Sequence, residues 1–329
     1  MAQENKIDWL QILKKYGNIV VLVIMVAGIS IIKPQFRTHT NIFNVLTQSC
    51  IFGIMALGMT FVIVSKGIDL SVGSVLALSG VIAASLAQMP EAADKYFPNL
   101  PVLHAIFPVL AALAVSSLCG AINGALIAFT GIPAFIATLG MYTVARGLAL
   151  IYTSGRPIST LSPGFTFFGD KIFDNIPVPV LVYAAMIIVT WILLNKTRFG
   201  KSVYAIGGNI KAAEVSGIRI KKNFVKIYAY CSLMAGVAAI VLAGRVQSVH
   251  PGAATGYELT AIAATTIGGT SHSGGIGTVW GAVVGALILG VLRNGLTLLG
   301  IHPYWQQVCE GCIIVVAVII DMKTHTQKK

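Results

Sequence analysis

Residues 195–226 read NKTRFGKSVYAIGGNIKAAEVSGIRIKKNFVK and form the longest polar segment in a chain of 329 residues. This segment carries eight of the 23 basic residues and one acid, Glu214, and strongly apolar runs lie on both sides of it. Asn209 has the side chain of a helix N-cap, and Gly217 stands where a helix end commonly takes a left-handed residue. The segment therefore predicts a turn followed by a short helix over 210–216.

Two interpretations of the 195–226 loop remain open from composition. Its lysines and arginines suit a solvated loop that only orients the protein in a membrane. The Gly-Gly-Asn turn, the short helix and the closing glycine favour a rigid element that docks on a partner. We assign to this docking element Gly207, Gly208, Asn209, Ala212, Ala213, Glu214, Ser216 and Gly217.

The composition of the chain excludes an ordinary soluble domain. Hydrophobic residues make up 56% of it, charged residues only 10%, and the mean hydropathy is +0.83. Soluble domains carry about 25% charged residues, so the expected solvent is a lipid bilayer. The net charge of +12 comes from bases in loops and termini without the interleaved aromatics of a nucleic-acid groove. We therefore expect membrane lipid, and no nucleic acid, as a partner.

Ten apolar segments are candidate membrane spans, and some of them are short. The eighth leads into the glycine cluster 268–277, which marks a break of the backbone inside the protein. The ten segments cover about residues 17–33, 43–64, 70–89, 104–130, 134–153, 177–195, 226–244, 259–272, 277–300 and 304–321. We predict an all-α integral membrane protein of about ten spans, with residues 1–329 as a single transmembrane domain.

The distribution of Lys and Arg predicts the orientation of these spans. With the N-terminus inside, fifteen basic residues fall on the cytoplasmic side and six outside, which satisfies the positive-inside rule. Both termini are then cytoplasmic. Lys14 and Lys15 before the first apolar run resemble the start of a signal peptide, but no A-x-A cleavage pattern follows. We expect this run to be a retained first span.

A weak internal repeat predicts the relation between the two halves of the chain. The sequence GAINGALI (120–127) in span four matches GAVVGALI (281–288) in span nine. Five spans separate equivalent positions, so the second copy is inverted, and the chain divides into two five-span halves of opposite topology. Each copy contains G-x-x-x-G, which favours two close helix–helix contacts over ordinary glycine enrichment.

Few ionisable or amide side chains lie at membrane depth, where such groups are costly and functional by default. Asp69 and Glu258 each lie at the start of a span, so capping of a helix N-terminus competes with a role in transport. Glu310 lies inside span ten, and none of these three acids pairs with another acid or a base at helical spacing. Our candidate residues for a substrate path are Asp69, Asn123, Arg146 and Asn294, with interhelix hydrogen bonding as the alternative role.

The sequence carries no pattern of a catalytic or nucleotide-binding site. A Ser-His-Asp set, a carboxylate pair and H-E-x-x-H are all absent. The stretch GGTSHSGGIGT (268–278) lacks the Lys-Ser/Thr of a phosphate-binding loop, so it predicts a tight break in which His272 is a satisfied loop histidine. The five cysteines are odd in number, and Cys309 and Cys312 have no second ligand pair for zinc. We expect no catalytic residue, metal or cofactor.

Five motifs together resemble one family: the permease subunits of ribose- and galactose-type sugar ABC importers, within the branched-chain amino acid/ribose transport permeases. The motifs span most of the chain. They are MALGMTFVIVSKGIDLSVGS (55–74), INGALIAFTGIPAFIATLGM (122–141), RFGKSVYAIGGNIKAAEVSGI (198–218), GYELTAIAATTIGGTSHSGGIGT (256–278) and NGLTLLG (294–300). Thr260 departs from the pattern, because the family often carries an acid at that position.

The resemblance implies a homodimer of ten-span subunits in the bacterial cytoplasmic membrane, an ATPase subunit with two nucleotide-binding domains, and an extracytoplasmic sugar-binding protein. The 195–226 loop would be the element that couples the permease to the ATPase, so this chain would itself be no enzyme. The implied cargo is a monosaccharide, ribose-like or galactose-like. Two alternatives stay open from the residues: an ion-coupled secondary transporter, which also has inverted repeats, and a passive facilitator.

Overall fold

The computed structural model describes residues 9–172 and 176–326. Thirteen α-helices make up most of this part, with short 3-10 helices at Pro34–Arg37 and Phe167–Gly169. In chain order the α-helices are α1 Trp9–Ile32, α2 His39–Val64, α3 Val72–Leu86, α4 Ile106–Thr130, α5 Ala134–Thr153, α6 Pro163–Thr166, α7 Val178–Lys196, α8 Arg198–Gly208, α9 Ile210–Val215, α10 Ile220–Val246, α11 Tyr257–Ile267, α12 Val279–Leu298 and α13 Pro303–Thr326.

The predicted all-α class is confirmed, with four two-residue strands as the exception. Strand β1 (Ile158–Ser159) pairs antiparallel with β4 (Ser248–Val249), and β2 (Lys171–Ile172) pairs antiparallel with β3 (Ile176–Pro177). All four strands lie in connections between helices. Such short pairings have no readable two-residue hydrophobic period, so the sequence did not predict them.

Every predicted span contains a helix, although the bounds differ by a few residues. Six helices of the described chain are long and apolar enough to cross a membrane, namely α2, α4, α5, α7, α10 and α12. Gly17–Ile32 of α1 and the whole of α3 are shorter apolar helices. The predicted short eighth segment is α11, which has 11 residues and ends immediately before the glycine cluster.

Helices α2 and α10 form the centre of the molecule. Most of α2 is inaccessible, including every residue of Ser49–Val64, and α10 is buried through Ile227–Gly244 apart from a few positions. Helix α10 packs on α4, α2 and α3, while α12 and α11 pack on the other side of α2. A helix that is apolar all round belongs either in the interior of a protein or in a membrane, and α2 and α10 are enclosed by other helices.

The outer helices turn large apolar side chains away from this centre. Exposed examples are Leu118 on α4, Ile151 on α5 and Ile188 on α7. Soluble monomers rarely expose apolar patches of this extent. In a bilayer the same side chains face lipid, which is the arrangement that the composition predicts.

The two G-x-x-x-G motifs make the predicted close contacts. A Cβ on Gly120 or Gly124 of α4 would collide with the backbone of α10, and a Cβ on Gly281 or Gly285 of α12 would collide with the backbone at the end of α11. Glycine therefore lets each helix touch its neighbour along the backbone. The neighbours are not equivalent helices of the two halves, however, because α4 meets span seven and α12 meets span eight.

An ion pair joins α12 to α13 in a way that helical spacing could not predict. Arg293 donates to Glu310, with Nη2 lying 2.7 Å from Oε2, and Nη2 also donates to Thr260 Oγ1 at 2.9 Å. The guanidinium lies 4.2 Å from the ring centroid of Phe52. Arg293 thereby links α12 to α2, α11 and α13, and Glu310 contributes to the packing of α13 on α12.

Replacing Glu310 with Gln should destabilise the fold, because a partly buried guanidinium loses its counter-charge. Removing one partner of a buried pair costs about 3–5 kcal/mol. We expect a lower midpoint of thermal unfolding in detergent for Glu310→Gln, and partial recovery when Arg293→Met is added in the same chain. A double variant as unstable as the sum of both single variants would contradict this coupling.

Candidate functional site: the α8–α9 elbow and the buried polar groups

The 195–226 loop folds into two short helices that meet at a sharp bend, which we call the α8–α9 elbow. Thr197 caps α8 by accepting a hydrogen bond from the Gly200 amide at 3.2 Å. Asn209 caps α9 in the same way, with Oδ1 lying 3.1 Å from the Ala212 nitrogen. The predicted N-cap and helix are confirmed, and α9 ends at Val215, one residue earlier than predicted.

The C-terminus of α9 is closed by a Schellman motif. Gly217 has φ of +82°, its amide donates to the Glu214 carbonyl at 2.9 Å, and the Ile218 amide donates to the Ala213 carbonyl at 3.0 Å. This pair of bonds uses carbonyls that a helix end leaves unpaired. The predicted left-handed role of Gly217 is confirmed, and the elbow has a defined shape at both ends.

The exposed face of the elbow is not the one that the small residues Ala212 and Ala213 predict. Ala213 is only 3% exposed, so its side chain faces the protein's own interior. Val215 is 90% exposed and Ile210 is 45% exposed, while Ala212 and Glu214 are also at the surface. Val215 and Ile210 are thus the exposed large apolar side chains of this otherwise polar element. Val215 was not among the predicted docking residues, which included the small residues Ala212 and Ala213 instead.

The elbow is bonded to the glycine-rich break between α11 and α12. Tyr204 of α8 donates its hydroxyl to the Gly277 carbonyl at 2.7 Å. Burial raises the pKa of the Tyr204 hydroxyl above its ordinary value, so this group stays protonated and remains a donor. The break itself is tight, as predicted, with left-handed Gly269, Gly274 and Gly275 and with His272 bonded to Thr266 at 2.8 Å.

Two of the four candidate path residues meet inside the protein. Asp69 Oδ1 accepts from the Ser71 amide at 2.9 Å and from the Ser71 hydroxyl at 2.6 Å. Asn123 Nδ2 then donates to the Ser71 hydroxyl at 3.0 Å. All three residues are fully buried, and within the described chain Asp69 Oδ2 and Asn123 Oδ1 have no hydrogen-bond partner. Asp69 thus caps the turn into α3 and also joins α3 to α4.

Arg146 holds a loop in place. Its Nη1 donates to the carbonyls of Pro251 at 2.6 Å and Ala253 at 2.9 Å. It lies partly exposed on α5, near the acid Glu258, whose Oε1 accepts from the Gly256 amide at 3.2 Å. The capping interpretation of Glu258 is therefore supported by its geometry.

Asn294 lies apart from the other candidates and forms a clasp between α12 and α2. Its amide group exchanges two hydrogen bonds of 2.9 Å with the amide group of Asn41. Both side chains are buried. This reciprocal pairing supports the helix-joining role for Asn294 over the path role.

Two cavities lie along opposite halves of α10. One of about 250 Å³ lies beside the elbow and is lined by Lys66, Ile206, Tyr228 and neighbouring residues. The other, of about 210 Å³, is lined by Ser248, His250, Tyr257 and apolar side chains. Among the described residues no group of three His, Cys, Asp or Glu side chains is placed to hold a metal ion.

A helical membrane protein with a capped elbow is the class that this geometry defines. Residues 41–318 match the family described as branched-chain amino acid transport system / permease component. The chain therefore belongs to this family, and it is a multi-pass membrane permease component of a transport system.

The chain is similar in sequence to curated import permeases along nearly its whole length. The chain is 41% identical to the ribose import permease protein RbsC of Escherichia coli (strain K12), covering 94% of each chain. It is 42% identical to the ribose import permease protein RbsC of Bacillus subtilis (strain 168), covering 98% of this chain and 97% of the relative. It is 39% identical to the galactose/methyl galactoside import permease protein MglC of Salmonella typhimurium, covering both chains completely. No solved structure matches the chain.

The Asn41–Asn294 clasp predicts a stability effect. Asn294→Leu should lower the midpoint of thermal unfolding, because a buried amide left without a partner costs about 1–3 kcal/mol. The double variant Asn41→Leu with Asn294→Leu removes both amides and should recover part of this loss. If Asn294→Leu instead kept wild-type stability and reduced only transport, Asn294 would belong to the path.

Proposed function

We propose that this chain is the membrane-spanning permease subunit of an ATP-binding cassette importer that carries a monosaccharide into the cytoplasm. The single observation that supports this best is the α8–α9 elbow, a rigid and capped element that exposes Val215 on a polar loop. The names of the relatives, which are import permeases for ribose and for galactose or methyl galactoside, supply the class of cargo. Whether the cargo is ribose-like or galactose-like is left open by this proposal.

We further propose ten spans in two inverted halves. The packing of the helices supports this topology, since contacts recur when each helix is exchanged for its counterpart five spans away. The contact of α3 with α4 corresponds to that of α11 with α12, α3 with α10 corresponds to α11 with α2, and α4 with α10 corresponds to α12 with α2. The first helices of the halves break the pattern, because α1 packs on α12 whereas α7 packs on α2.

In the proposed orientation both termini and the elbow face the cytoplasm, with the chain in a bacterial cytoplasmic membrane. Single cysteines in a Cys-free variant should react with an impermeant thiol reagent only from the cytoplasm at positions 211 and 329, and only from outside at positions 95 and 171. We expect this result because Lys and Arg are more numerous in the loops assigned to the cytoplasm than in those assigned to the outside. Labelling of positions 211 and 171 from the same side would refute the topology.

The proposed partners follow from the elbow. One elbow binds one ATPase domain, and ATP hydrolysis in this class of transporter needs two such domains facing each other. Two copies of this chain related by a two-fold axis provide two elbows. An extracytoplasmic sugar-binding protein would deliver the cargo to the opposite face.

The proposed substrate path runs along α10 between the two cavities, past Asp69 and Asn123, with Arg146 at the end farther from the elbow. Asp69 and Asn123 are both fully buried, so on this proposal the path would be closed at their level in this conformation. Asn294 is also a sequence-based candidate for the path, but its two hydrogen bonds with Asn41 favour a role in helix packing.

The docking proposal makes a quantitative prediction for Val215→Arg. A charge placed in an apolar contact and left unpaired costs several kcal/mol, which is enough to dissociate an ordinary interface. We expect the variant to reach the membrane with normal topology, to lose co-purification of the ATPase and to abolish uptake. Asn195→Arg adds the same charge at an exposed position outside the elbow and should behave as wild type.

Native mass measurement of the wild-type complex should find two copies of this chain.

Uptake into proteoliposomes tests the function itself. The complete complex should accumulate ribose or galactose only when the binding protein is on the extracytoplasmic side and ATP is on the cytoplasmic side. Sugar accumulation by this chain alone under an ion gradient would favour the secondary transporter, and equilibration without any energy source would favour the facilitator.

Ala213→Arg would not test docking, because Ala213 is buried and an arginine there would disrupt the elbow itself.

A further inference from the structure

Three segments that are distant in the sequence meet beneath the elbow. They are the end of α2 at 64–67, the end of α8 at 207–208, and the glycine-rich break 268–278 between α11 and α12. We call their meeting point the glycine junction, and define it by Val64, Lys66, Gly207, Gly274 and Gly275. The sequence predicts the break at 268–278, and the function proposed above does not use it.

Hydrogen bonds tie these segments directly to one another. The Gly275 amide donates to the Val64 carbonyl at 2.8 Å, which joins the break to α2. Lys66 Nζ donates to the Gly208 carbonyl at 3.3 Å, which joins α2 to α8. The bond from Tyr204 to Gly277 closes the triangle between α8 and the break. One of these three bonds joins backbone to backbone, and the other two join the side chains of Lys66 and Tyr204 to backbone carbonyls.

Steric packing at the junction is equally close. A Cβ on Gly207 would overlap the Val64 carbonyl and would lie 2.6 Å from the Gly275 nitrogen. A Cβ on Gly274 would lie 2.7 Å from the Gly207 carbonyl oxygen, and Gly274 also has φ of +79°. By contrast, a Cβ on Gly208 would meet nothing within 4 Å. Two adjacent glycines therefore differ completely in the space around them.

We propose that the glycine junction is the joint through which movement of α9 reaches the membrane spans, with Gly207 as its positioning residue. This inference rests on the proposed docking of an ATPase at the elbow. Gly207 lies two residues before Asn209, the N-cap of α9, so displacement of α9 pulls on the junction. Because α2 ends at Val64 and α12 begins two residues after Gly277, one movement acts on both helices at once.

A purely packing role would predict a different result from a transmission role. If the junction only fills space, a change at Gly207 lowers the amount of folded protein, and uptake falls in the same proportion. If the junction transmits movement, folded complexes bind and hydrolyse ATP while moving less sugar. The ratio of sugar transported to ATP hydrolysed separates these cases, because loss of folded protein leaves it unchanged.

The experiment compares Gly207→Ala with Gly140→Ala in the purified complex, reconstituted with its binding protein. For Gly207→Ala we expect retained ATPase binding and a fall of about tenfold or more in sugar transported per ATP, as for the loss of a typical coupling energy. Gly140 lies on α5, outside the docking element and the junction, and a Cβ there would meet nothing within 4 Å. For Gly140→Ala the ratio should therefore equal that of wild type. An unchanged ratio in Gly207→Ala, or an equal fall in both variants, would overturn the proposal.

Tyr204→Phe keeps the test decisive if Gly207→Ala does not fold. This variant removes one hydroxyl and adds no volume, and loss of the bond to Gly277 should lower the ratio about fivefold. A ratio equal to wild type in a folded Tyr204→Phe complex would refute the joint. Failure of the wild-type chain to bind any ATPase would instead refute the proposed function, so the two failures are distinguishable.

Discussion

Direct backbone contact at glycine is the interaction on which this structure depends. Inside a bilayer the hydrophobic effect does not draw helices together, so they adhere through close packing and through polar groups. Gly120 and Gly124 bring α4 onto α10, and Gly281 and Gly285 bring α12 onto α11. The same device at Gly207 holds the elbow against the ends of two further segments. A methyl group at most of these positions would separate backbones that now touch.

Polar side chains complete this packing. Asn41 with Asn294 joins helices from distant parts of the chain, while Arg293 with Glu310 and Ser71 with Asn123 join helices that are consecutive in the chain. Each of these side chains has at least one hydrogen-bond partner, although Asp69 Oδ2 and Asn123 Oδ1 have none within the described chain. The related family often carries an acid where this chain has Thr260. In the structure the Thr260 hydroxyl accepts a hydrogen bond from the Arg293 guanidinium, which also binds Glu310. An acid is thus present at this cluster, supplied from α13.

The elbow illustrates how far local sequence rules reach. Capping by Asn209 and closure by Gly217 depend on side-chain and backbone chemistry within a few residues, and both were predicted correctly. The direction of each side chain depends on how the elbow sits on α2 and on the break before α12. Ala213 therefore turned out to be internal, and Val215 became the exposed apolar residue, although both lie in the predicted element.

The sequence by itself determined the all-helical membrane class, the positions of the helical segments, the short α11 and the capped elbow. These features follow from hydropathy, glycine placement and capping residues, which act over one turn to one span of chain. Only the tertiary structure decided which helices touch, which polar groups pair and which glycines lack space. Gly207 and Gly208 are identical in sequence chemistry, and they differ because a Cβ on Gly207 would collide with Val64 and Gly275, which are far away along the chain, whereas a Cβ on Gly208 would point into open space.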